Sequence, residues 1–240
     1  MSRLAKPLTV GALALVLAAR PAAAQLWYNG NWSDWQTVLP SERDLSIADT
    51  RIFDDFLVGG AGWNVTSIFG DFLSDLNPTQ AYWEIRSGVS AGNGGTLLYS
   101  GTSSISWALL GPGLGSDPEY QATVGGLNLS LTAGIYWLTI APTQSAYGRA
   151  YITATGGTGG VNPLLDGNAY WDSQSFGKNF QAVTPILGKL DFAYGVSGSA
   201  LELLESSSII SPEPGTFVLT GSGLVLLGAA TLRRRRRASS

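Results

Sequence analysis

Leu127-Asn128-Leu129-Ser130-Leu131-Thr132-Ala133-Gly134-Ile135-Tyr136-Trp137-Leu138-Thr139-Ile140 holds the pattern that decides the fold. Leu127, Leu129 and Leu131 alternate with Asn128 and Ser130, the period-2 signature of a strand with one buried face. Thr132-Ala133-Gly134 then supplies a turn, because glycine adopts the positive φ that tight turns require. Ile135 to Ile140 is apolar except for Thr139 and reads as a central strand covered on both faces.

Outward from this stretch, similar runs recur. Trp63 and Val65 fall on one face before their pattern becomes mixed, and Leu190, Phe192, Tyr194 and Val196 alternate near the end. Further strands are expected over 53–58, 81–86, 96–100, 105–109 and 149–153, separated by glycine-rich turns at 59–62, 91–95 and 111–113. Gly156-Gly157-Thr158-Gly159-Gly160 reads as a long flexible loop. No segment of the body carries a sustained 3.6-residue apolar period. The expected fold is all-β, a β-sandwich or jelly-roll ectodomain over 25–199.

Composition narrows the chemistry. The chain has 240 residues, 45% hydrophobic and 13% charged, with no Cys and no His. That excludes disulfides, thiolate chemistry, zinc sites of Cys or His, and His-dependent triads. Of the 14 basic residues three lie within the first 20 positions and five form the run Arg233 to Arg237, leaving six in the body. All 17 acidic residues lie between Asp34 and Glu213, so the body is near −11 and repels nucleic acid. No nucleic-acid partner is expected.

The two ends carry addresses. Arg3 and Lys6 precede an apolar stretch from Leu8 to Ala19, and Ala22-Ala23-Ala24 offers small residues for cleavage. Residues 1–24 therefore read as a secretory signal helix cut after Ala24 by signal peptidase, in preference to a buried first helix. At the other end a Ser-rich stalk, 200–211, leads to Pro212-Glu213-Pro214. An apolar stretch of 17 residues, 216–232, follows, then Arg233, Arg234, Arg235, Arg236 and Arg237. As a helix this stretch spans about 25 Å, the short end of what crosses a bilayer once. The arginines hold that end in the cytoplasm.

This three-part order, confined to residues 212–237, resembles the PEP-CTERM sorting signal of exosortase-bearing Gram-negative bacteria. The resemblance implies a tail held in the inner membrane and removed by an exosortase near the motif. The released protein would go to the cell surface or extracellular matrix, often alongside exopolysaccharide. A plain tail anchor is the alternative, but such an anchor has no need of Pro-Glu-Pro. More loosely, 52–56, 81–88, 134–138 and 191–196 resemble the β-sandwich ectodomains that often precede such tails. That likeness implies a fold and lends no catalytic residue.

Candidate sites each have a bland counterpart. Trp27, Trp32 and Trp35 stand among Asn29, Gly30, Asn31, Ser33 and Asp34. They are either a sugar-binding surface or rings that close one end of the core, and burial is favoured. Asp54 and Asp55 point to opposite strand faces and so form no dyad. One of them is a weak candidate for Ca²⁺ together with loop carbonyls, but a solvated edge is favoured. Glu84, Asp117, Glu119 and Asp172 are acids that a glycoside hydrolase would need in a pair, yet no spacing pairs them. Glu84 reads as part of an exposed strand face, partnered by Arg86. No cofactor is required. Two functions remain: a non-catalytic surface or matrix protein associated with exopolysaccharide, which is favoured, and a secreted polysaccharide hydrolase using two carboxylates.

Overall fold

The computed structural model describes residues 23–202, apart from 33–36, 45–48, 116 and 145–147. The expected signal helix up to Ala22, Trp35, most of the expected stalk and the whole expected sorting signal lie outside the described residues. Among the described residues no helix is long and apolar enough to cross a membrane.

The described chain is all-β. Its strands are β1 (Ala24–Tyr28), β2 (Val38–Pro40), β3 (Glu42–Asp44), β4 (Asp49–Val58), β5 (Trp63–Ser74), β6 (Gln80–Ser87), β7 (Thr96–Leu114), β8 (Asp117–Val124), β9 (Leu129–Leu131), β10 (Gly134–Gln144), β11 (Ala150–Thr155), β12 (Tyr170–Ser173), β13 (Lys178–Ala182), β14 (Asp191–Phe192) and β15 (Tyr194–Ala200). A single helical turn, α1 (Thr184–Leu187), precedes β14. The main hydrogen-bonded path runs β1-β15-β5-β8-β7-β6-β10-β3-β4-β12-β13, with β11 joined to β5, β2 and β14. Ala200 still belongs to β15, and Leu201 donates its N–H to Gly62 O at 2.8 Å. The body thus reaches slightly beyond the expected boundary at residue 199.

Strand β7 joins two arms of this path. Its first half pairs with β6 as far as Gln80↔Ser104, and its second half pairs with β8 from Val124↔Ile105. The two strands expected over 96–100 and 105–109 are therefore one, changing partner midway. The turn expected at 111–113 is likewise absent. Gly111-Pro112-Gly113 is absorbed as register shifts, and a Cβ on Gly113 would stand 2.1 Å from Asp117 O. Glycine there serves a close strand approach rather than a reversal.

The core lies between the arms. On β4, Ile52, Phe56 and Val58 share one buried face. Phe56 stacks on Trp27 of β1 at 5.2 Å and on Trp63 of β5 at 6.1 Å, and lies 5.8 Å from Tyr136 of β10. The opposite face of β4 is covered too. Phe53 packs with Trp137, Val89 and Phe180, the last contributed by the β12–β13 hairpin on the far edge of β4. The loop at 156–160 is pinned rather than loose: Asn31 donates its N–H to Thr158 O at 2.8 Å, and Tyr28 and Val161 exchange backbone hydrogen bonds.

Because Phe56 touches rings from three other strands, Phe56→Ala is expected to lower the unfolding free energy by about 3–5 kcal/mol. Urea denaturation followed by tryptophan fluorescence checks this; a loss below about 1 kcal/mol would mean that the arms do not depend on the stack.

Candidate functional site

Of the tryptophans singled out in the sequence, the two described ones, Trp27 and Trp32, present no pair of exposed rings. Trp27 is 1% exposed and lies in the main core against Phe56. As a sugar-binding ring it is corrected: β1 pairs beside β15, and Trp27 takes the inward position opposite Val196. Trp32 is half-buried and bridges to Thr155. Ala24, the expected cleavage position, is exposed at the start of β1.

A different site forms on the outer side of β1, β15, β5 and β8. Register sets Gln25 beside Ser197 and Ser197 beside Ser67, and aligns Tyr28, Gly195, Phe69 and Thr123. It also sets Asp71 beside Gln121. All of these but Gly195 line an open cleft of about 520 Å³, bounded further by Asn31, Gly159 and Leu110. The floor is shaped by an absence. A Cβ on Gly195 would stand 2.1 Å from Phe69 Cζ, so the Phe69 ring lies over Gly195, with the Tyr28 ring 5.3 Å away.

Asp71 sits at the bottom, fully buried. Tyr28 Oη hydrogen-bonds to Asp71 Oδ2, and Gln121 Nε2 donates to Asp71 Oδ1 at 3.1 Å. Burial pushes the Asp71 carboxyl up to about 6, although both hydrogen bonds pull it down. Burial, and then the charge of Asp71, raise the Tyr28 phenol; Glu119 of β8 adds to this. Tyr28 Oη is also 2.9 Å from Asn31 Oδ1. A phenol has one hydrogen and cannot serve two acceptors. The arrangement is complete when Asp71 carries a proton of its own, or when the Asn31 amide turns to present its nitrogen.

The sequence reading missed Asp71, Gln121, Thr123, Ser67 and Ser197. Their only signal is that they occupy the polar phase of otherwise apolar strands, as Gln121 and Thr123 do against Ala122 and Val124.

The other acids are placed differently from expectation. Asp54 and Asp55 are buried, not solvated. Asp54 points into the core, where Asn29 Nδ2 at 3.0 Å and the Phe192 N–H at 2.5 Å bond its Oδ2. Burial, and then the nearby Asp191 charge, hold its carboxyl well above the ordinary range. Asp55 faces the other way, with Asn168 Nδ2 donating to Oδ2 at 3.3 Å and Oδ1 unpartnered. Burial, with Asp166 nearby, pushes it up to about 7. Among the described residues no three acidic side chains converge on one point.

Glu84 is buried rather than part of an exposed face, though Arg86 is its partner as expected. Arg51 Nη1 donates to Glu84 Oε1 at 2.8 Å, Tyr82 Oη donates to the same oxygen at 2.7 Å, and Arg86 Nε donates to Oε2. Burial raises the Glu84 carboxyl, but these donors and the two guanidinium charges outweigh it and hold it below the ordinary range. Arg51 also reaches Asp172 at 3.0 Å. Asp117 and Glu119 are half-buried on β8.

Two outcomes follow from these burials. Glu84→Gln removes the charge facing two mostly buried guanidinium groups and is expected to cost about 3 kcal/mol, read from urea midpoints; a change within about 0.5 kcal/mol would show the network to be energetically idle. For Asp55 the folded value lies above the unfolded one. Its contribution to stability is therefore complete below about pH 4 and lost as pH rises through about 7. Asp55→Asn should gain stability relative to the natural chain across that window. A difference between the two that stays constant with pH would exclude the shift.

Comparison with family models, characterised proteins and solved structures returned no match to this chain, so any function must be argued from its own residues.

Proposed function

We propose that this chain is an exported, exosortase-processed protein of the cell surface or extracellular matrix. Its all-β ectodomain, a β-sandwich of jelly-roll type, associates with exopolysaccharide and does no chemistry on it. Support for export and processing comes from the sequence order at the two ends: basic and apolar residues before Ala24, and Pro212-Glu213-Pro214, an apolar span and five arginines at the other.

The observation that carries the association is the cleft over Gly195 and Phe69. It is lined by amides and hydroxyls on a broad sheet face, the donor and acceptor set that a hydroxyl-rich ligand needs. Binding is favoured over catalysis because Glu84 and the acid at the cleft, Asp71, are already engaged. Both oxygens of Glu84 accept from cationic or phenolic donors, and both oxygens of Asp71 have partners.

The alternative, a polysaccharide hydrolase, draws on one fact: Asp71 has a raised carboxyl beside a cleft, as general acids do.

Export and processing are checked in an exosortase-bearing host with an epitope tag after Ser240. The surface form should lack the tag, and Glu213→Ala should leave the tag on a membrane-bound chain. A tag retained on surface-exposed natural protein would overturn processing. Release of reducing ends from exopolysaccharide, abolished by Asp71→Asn, would establish the hydrolase instead.

A further inference from the structure

The cleft has a charge character that selects among polysaccharides. Gln25, Asn31 and Gln121 offer amides, and Ser67, Thr123 and Ser197 offer hydroxyls. Among the described residues that line it there is no lysine or arginine. The one ionisable carboxyl at its floor is Asp71, and Glu119 is near enough to act on Tyr28 through its charge. An anion entering here would meet no cation and would approach two acids within a body already near −11. An uncharged sugar meets neutral donors and acceptors on both sides and loses nothing to repulsion.

We infer that the cleft binds an uncharged, hydroxyl-rich polysaccharide segment and discriminates against polyuronates. This rests on the polysaccharide association proposed above and adds the ligand class and the residues that set it. Gln121 is the central determinant. It stands opposite Asp71, donates to it through Nε2, and leaves its amide oxygen as an acceptor toward the cleft. Asp71 is a positioning residue: its partners Tyr28 and Gln121 are held on opposite sides of the Phe69 ring's strand. Thr123 lies two residues beyond Gln121 on the same face.

The experiment is affinity electrophoresis of the purified full chain in detergent at physiological ionic strength. The gels contain hydroxyethylcellulose, galactomannan or dextran as uncharged probes, and alginate as the polyuronate. The expected result is retardation by at least one uncharged probe and none by alginate. Gln121→Ala should weaken retardation by about tenfold in apparent affinity. Thr123→Arg, which puts a cation on the rim without entering the core, should weaken uncharged binding and create alginate binding. Thermal unfolding of each variant confirms that it folds. If alginate binds the natural chain as well as the uncharged probes do, the selectivity is wrong while the polysaccharide association stands. If uncharged binding survives both substitutions unchanged, the cleft is the wrong place. If none of the four polymers is bound, the selectivity and the association fall together.

Discussion

The Trp27–Phe56–Trp63 stack is the contact on which the rest depends. No disulfide is available to this chain, so the arm containing β1 and β5 and the arm containing β4 and β10 are joined by packing, by buried hydrogen bonds and by strand β7. Placing Trp27 in that stack has a consequence on the other side of β1. A bulge between Gln25 and Trp27 resets the alternation. Gln25 and Tyr28 both face outward, three residues apart, while the indole between them goes in. Without the bulge Gln25 and Trp27 would share a face, and either the core or the cleft would lose its residue. The same local irregularity therefore builds both the joint between the arms and one wall of the site.

The interior is held to register by polar groups as well as rings. Tyr194 is fully buried between the arms, and its hydroxyl donates to Ile52 O at 3.0 Å, with Ser41 Oγ 3.3 Å away. Ser41 Oγ in turn donates to Ile140 O at 2.9 Å. These bonds tie β15, β4 and β10 at one level. A slip of one residue would leave a buried phenol unpaired, at a cost of a few kcal/mol. Glu42 on β3, between β10 and β4, performs the same service, accepting from Arg149 Nε at 2.5 Å and the Ala150 N–H at 2.8 Å.

What the sequence disclosed and what it hid follow from one physical distinction. Apolar patterning marks a strand wherever its phase holds, so β4, β6, β10 and β11 are legible as strands. It fails where phase changes. On β5 the pairing shifts between Ser197↔Ser67 and Gly198↔Val65, leaving Thr66 as the extra residue. Trp63 and Val65 point inward before it, and Ile68 and Phe72 after it. The mixed pattern seen in the sequence is this bulge, and it is also what turns Ser67, Phe69 and Asp71 toward the cleft. Strands that borrow their stability from neighbours, such as the short β2, β3, β12 and β13, carried no signal of their own. Asp54, Asp55 and Glu84 carry no sequence signal of burial, since acids are usually exposed. Their partners, Asn29, Asn168 and Arg51, lie at least 25 positions away in the chain.

Three buried carboxylates in one domain show three ways of managing a charge, and the comparison bears on where a ligand is felt. Glu84 is met by two guanidinium groups and stays ionised, so its field is cancelled locally. Asp54 receives an amide and two backbone N–H groups but no cation in the core, and is pushed toward its neutral form. Asp71 is intermediate. Its partners are a phenol and an amide, neither carrying a charge, and its carboxyl lies at about 6. Alone among the three it adjoins the cleft, so its ionisation is the one that a bound molecule would sense. Above that value the floor of the cleft carries a negative charge with no cation among the lining residues. The fold therefore makes the site more hostile to anions as pH rises through about 6, by placing an acid where the strand register needed a hydrogen-bond acceptor.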